Sequence, residues 1–177
     1  MHFSPPHRPV IIGIGNSLMG DDGAGPAVIS LLQEKLANTD IIARVEMICL
    51  ETPGYSLLSY ISLQDFVIII DAACFGGYPG EVRRFILEDI TLPVAIEHSE
   101  LDLHSSDIFK VCHYARQLKL APANLLFFGI QLVSIQPGTA LSPEMSAGVQ
   151  QTALLIRKEL SIIMSSIQHH DFPVISA

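Results

Sequence analysis

A chain of 177 residues, 49% apolar and only 16% charged, has enough hydrophobic sequence for a full core and too little polarity for disorder. Its net charge of −8 argues against nucleic acid, whose phosphates need clustered Lys and Arg, and equally against an anionic membrane surface. Cys49, Cys74 and Cys112 are odd in number and never form a CxxC pair, which argues against a disulfide framework or structural zinc and favours a reducing compartment.

The first ten residues are polar, with Pro5, Pro6 and Pro9, and form no secretory signal. No apolar run approaches the roughly 20 residues that span a bilayer. The expectation is a cytoplasmic protein of one domain, residues 1–177, with its core in 10–166 and a loose tail over 167–177. No internal repeat or interdomain linker interrupts it.

In chain order, Val10, Ile11, Ile12 and Ile14 make a buried strand that breaks on Gly13 and Gly15. After the glycine turn, Val28, Leu31, Leu32 and Leu36 fall at helical spacing and predict a helix over 24–36. Residues 41–50 read as a second strand and 55–62 as a short helix. Residues 66–71, FVIIID, form a third strand, apolar throughout and ended by a carboxylate, as expected at the centre of a parallel sheet. A glycine-rich loop over 76–80 leads to an edge strand at 81–87, and 91–104 is irregular. Ser105, Ser106 and Asp107 supply the start of a helix over 108–118. A strand at 125–130, a loop at 131–141 and a helix opened by Ser142-Pro143-Glu144 and running to about Ser166 complete the chain. The alternation predicts an α/β three-layer sandwich: a mostly parallel twisted sheet, one edge strand antiparallel, helices on both faces.

Three acids then matter. Asp21 and Asp22 follow the first strand, and Asp71 ends the third, so all meet at the carboxyl edge where open α/β sheets bind ligands. One of the first two is expected to cap the following helix, with Asp21 the structural member and Asp22 the functional one. Two facing carboxylates are costly unless a cation or proton lies between them. With His104, which precedes a helix six residues after His98, they make a candidate two-carboxylate, one-imidazole set of the kind that holds zinc, nickel, iron or manganese. A dinucleotide site is disfavoured. The glycine fingerprint needs a third glycine where Leu18 stands, and Asp21 and Asp22 would repel phosphates. No GKS, GKT or GxSxG is present.

GIGNSLMGDDGAGP, then IIIDA, then His104, then FGIQLVSIQPGTALSP resemble, in that order, the nickel–iron hydrogenase maturation endopeptidases, over nearly the whole chain. The resemblance implies removal of a C-terminal extension from the precursor of the hydrogenase large subunit after nickel insertion. It implies that Asp22, Asp71 and His104 contact the metal, with Asp22 or Asp71 as general base. The metal is then nickel presented by the substrate, with zinc or cadmium a stand-in in a crystal, and the precursor is the partner, with no nucleic acid or membrane. Two positions depart from the family pattern. Asp22 is one methylene shorter than the Glu some members carry, and Glu51 stands where a glycine often precedes the counterpart of Thr52. A non-catalytic chaperone of the metal-bearing subunit is the rival reading.

Overall fold

The computed structural model describes residues 8–86 and 103–169, with side chains for 8–86 and 108–167. Five strands form one sheet: β1 (Val10–Ile14), β2 (Glu46–Leu50), β3 (Phe66–Ala73), β4 (Val82–Ile86) and β5 (Asn124–Gln131), in the order β2-β1-β3-β5-β4. All neighbours are parallel except β4, which runs antiparallel to β5 at the edge. Every residue of β1, β3 and β5 is buried, which explains their unbroken apolar runs: both faces of these strands are covered.

The two coverings follow from the period-two alternation of the strands. Ile11, Ile68, Ile70, Leu126 and Phe128 point to the side covered by α1 (Ala24–Leu36) and α4 (Pro143–His169), through Val28, Leu32, Val149, Ile156 and Leu160. Val10, Ile12, Val67, Ile69 and Phe127 point to the other side, covered by α2 (Leu57–Ile61) and α3 (Leu103–Gln117), through Leu57, Ile61, Ile108, Val111 and Ala115. An Arg84–Glu159 ion pair of 2.8 Å ties the edge strand to α4. Among the described residues no helix is long and apolar enough to cross a membrane.

Several boundaries differ from expectation for identifiable reasons. The predicted second strand shortens to β2, because residues 42–44 coil into a 3-10 turn. β3 continues past Asp71 to Ala73, because β5 also extends, to Gln131, and the ladder pairs them to their ends; Asp71 lies within the strand. α3 begins at Leu103 rather than Ile108, so Ser105, Ser106 and Asp107 belong to its first turns instead of preceding it. The Ser142 hydroxyl does accept the Met145 N–H at 3.2 Å, the N-cap that Ser-Pro-Glu predicts. The polar stretch 91–102, with His98, and the tail from residue 170 lie outside the described residues.

On the α3 side, burial pushes the Cys112 thiol up to about 12. At pH 8 that leaves roughly one molecule in ten thousand as the reactive thiolate. Iodoacetamide is therefore expected to spare Cys112 in the native protein, label it after unfolding, and reach the exposed Cys49 first; mass mapping of modified peptides reads the result. The folded thiol titrates above the ordinary 9.0, so its share of stability is intact below pH 9 and lost as pH climbs towards 12.

Candidate active site

The chain reverses its direction of sheet-building at β1. From β1 it moves outward to β2, then crosses back to β3 on the other side. Adjacent strands β1 and β3 thus diverge in connection, and a crevice opens beyond their carboxyl ends. Gly13 pairs with Ile70, so Ile14 and Asp71 stand level at that edge.

The first motif folds tightly over the end of β1. Gly15 has φ 131°, and a Cβ there would run into the Asp22 carbonyl oxygen. A 3-10 turn over Asp21–Gly23 follows and leads directly into α1. In this turn the two acids part company. Asp22 is half-buried, and its Oδ2 accepts the Asn16 N–H at 2.7 Å, while Asn16 Oδ1 accepts the Leu18 N–H at 2.8 Å. Asp21 is buried and reaches across the molecule, its Oδ1 accepting the Ser142 N–H at 2.6 Å where α4 begins. Neither acid caps α1, contrary to the expectation; Gly23 is the N-cap residue and makes no side-chain cap bond. The tertiary partner Ser142 has taken the carboxylate that local geometry offered to the helix.

The loop between β5 and α4 is drawn onto the same motif. Met19 bridges Gly138, Gly20 bridges Ile135, and the Gly138 N–H donates to the Leu18 carbonyl at 2.9 Å. Between these segments lies a cavity of about 350 Å³ lined by Gly20, Asp21, Ser142 and residues of the 134–141 loop. Leu18, Val133 and Ile135 are exposed apolar side chains on its two loops. Asp21→Ala is expected to cost about 2 kcal/mol by freeing the Ser142 N–H, whereas Asp21→Asn keeps an acceptor oxygen and loses less; chemical denaturation of both variants measures the difference.

Asp71 is 2% exposed, next to this edge. Its parity is that of Val67 and Ile69, so it faces the α2–α3 side. Because α3 precedes the parallel strand β5, it starts at the carboxyl edge, and His104 lies in its first turn on that same side of the sheet. The His104 side chain lies outside the described residues. Glu51 is exposed directly after β2, one strand from Asp22. Among the described residues no three His, Cys, Asp or Glu side chains gather into a metal cluster.

Sequence reasoning missed the residues that hold this edge in place. Gln131, buried at the end of β5, receives two backbone donors on Oε1, from Phe75 at 3.0 Å and Gly77 at 2.9 Å, and so pins the loop that leaves β3. A polar residue closing the apolar run LLFFGI was the available signal. Where that loop meets β4, Arg83 of the strand and the Tyr78 N–H hold the Glu81 carboxyl below the usual carboxylate range.

An open α/β sheet whose connections reverse at β1 belongs to the class of folds that bind ligands beyond the carboxyl ends of their strands. The sequence profile of hydrogenase maturation proteases matches residues 26–159, and the chain belongs to that family. It is 31% identical to the hydrogenase 3 maturation protease of Escherichia coli K12 over 69% of this chain and 71% of that one. It is 28% identical to the hydrogenase expression/formation protein HupD of Thiocapsa roseopersicina over 76% of this chain, a match spanning only 59% of that relative's length. The fold is that of the [NiFe] hydrogenase maturation protease HybD from Thermococcus kodakarensis, with a TM-score of 0.64, 28% identity, and coverage of 86% and 99% of the two chains.

Proposed function

We propose that the chain is an endopeptidase that removes a C-terminal extension from the precursor of the nickel–iron hydrogenase large subunit after nickel insertion. What supports this reading is membership of a family of named proteases, with Asp71 buried near the carboxyl end of β3 and Asp22 in the turn that follows the neighbouring strand β1. Asp22, Asp71 and His104 contact the nickel that the precursor brings, which offsets the mutual repulsion of the two carboxylates. A precursor without nickel lacks that contact and escapes cleavage. Asp22 or Asp71 takes the proton of the attacking water, and the proton passes to the departing amine. The cavity beside Asp21 and the apolar Leu18, Val133 and Ile135 offer the scissile segment a surface. On this reading the protein works in the cytoplasm.

Incubation with nickel-loaded and nickel-free precursor, followed by mass spectrometry, tests it. The loaded precursor is expected to lose a C-terminal peptide and the empty one to keep its mass. A loaded precursor that binds but is never shortened would leave a chaperone instead.

A further inference from the structure

The cavity between the first motif and the 134–141 loop carries a carboxylate that is only half satisfied. Asp21 lines it and is 3% exposed. Its Oδ1 accepts the Ser142 N–H, but its Oδ2 is closed off from solvent and has no hydrogen-bond partner among the described residues. A carboxylate oxygen so placed has given up water and gained no donor in return, so a donor brought within its reach is strongly favoured. A neutral N–H answers the lone pair, and a cation answers the charge as well. Among the described residues no Lys, Arg or His lines the cavity, so that cation comes from outside.

The size and walls of the cavity select the kind of cation. Its volume of about 350 Å³ is far more than the roughly 10–15 Å³ that one water occupies. A hard divalent ion wants about six oxygens, and Asp21 is the only carboxylate among the residues that line the space. Pro137, Ala140 and Leu141 supply apolar lining. A Lys or Arg side chain matches both features, with an alkyl stem for the apolar wall and several donors on a charged head. The net charge of −8 draws such a group towards the protein.

We infer that this cavity binds a basic side chain of the precursor, an arginine guanidinium or a lysine ammonium, with Asp21 as its counter-ion. Because Oδ2 is covered as the chain stands, binding includes a small shift of the 134–141 loop that uncovers it. The inference rests on the peptidase reading for the source of the side chain, whereas the chemistry of the pocket stands on the cavity and the orphan oxygen.

The pocket is tested first without cleavage, by amide NMR of the isotope-labelled full-length protein titrated with N-acetylarginine amide. The amides of Ser142 and of the 134–141 loop are expected to shift at millimolar concentrations, and N-acetylcitrulline amide, of the same shape but uncharged, to bind about tenfold more weakly or worse. Asp21→Asn keeps an acceptor for the Ser142 N–H and is expected to erase the preference for arginine. Ala140→Phe fills the cavity, leaves the Asp21–Ser142 bond in place, and is expected to abolish binding; it serves if Asp21→Asn does not fold. Equal binding of arginine and citrulline, or no response at these amides, overturns the inference and leaves the orphan oxygen to water alone. On nickel-loaded precursor Asp21→Asn is expected to raise KM about tenfold with kcat within about twofold of the parent. Among precursors with each Lys or Arg near the scissile bond changed in turn to Gln, one is expected to raise KM for the parent protein but to add little to Asp21→Asn. A fall in kcat in place of the rise in KM, or full additivity for every precursor variant, overturns the assignment of the pocket to the precursor. A protein that never cleaves but still prefers arginine to citrulline refutes the peptidase reading and keeps the pocket.

Discussion

Asp22→Asn is expected to slow processing of nickel-loaded precursor by about 1000-fold or more, to the edge of detection. The substitution removes the charge and the proton-accepting power of the side chain while keeping its size. It also keeps an oxygen that can accept the Asn16 N–H, the bond that now holds the carboxylate at 2.7 Å. The exchange of a charged acceptor for a neutral one costs about 1 kcal/mol, a shift in melting temperature of about 2–4 °C for a chain of this size. Activity and stability should therefore separate cleanly, in single-turnover cleavage on one side and calorimetry on the other. Near-normal turnover would remove Asp22 from the mechanism, and a collapse of the melting temperature would make it a structural acid like Asp21.

Gly25→Ala has the largest expected effect on stability. Gly25 sits in the first turn of α1, where the helix lands on the ends of β1 and β3. A Cβ there would press against the Ile14 carbonyl oxygen, come within 2.6 Å of the Ile14 nitrogen, and lie 2.8 Å from the Ile70 carbonyl oxygen. All three are backbone atoms of central strands, which cannot turn aside as a side chain does. The helix would have to lift from the sheet at a cost of about 3 kcal/mol or more, lowering the melting temperature by about 10 °C. Because the turn holding Asp22 is joined to that helix, cleavage should fall as well. Gly54→Ala provides the contrast: nothing lies within 4 Å, and only its φ of 49° is disfavoured, for about 1 kcal/mol. Equal losses at the two positions would mean that close approach is not what Gly25 provides.

Much of this architecture was legible in the chain because burial on both faces leaves a simple mark. The runs VIIGI, FVIIID and LLFFGI have no polar side to display, and they became β1, β3 and β5. The Ser-Pro-Glu opening of α4 is equally local, since its cap bond spans three residues. The capping role expected of Asp21 or Asp22 failed for the complementary reason. A helix start can be read from neighbours, but Asp21 found its donor 121 residues away.

By itself the sequence determined which strands lie at the centre and which family the motifs resemble. These follow from hydrophobic period and residue type, properties of short stretches. Only the tertiary structure decided that Asp21 is spent on Ser142, that Gln131 pins the loop after β3, and that Arg83 lies over the Phe75 ring. Strand register and cross-sheet contact set those roles, and they exist only once distant segments have packed against one another.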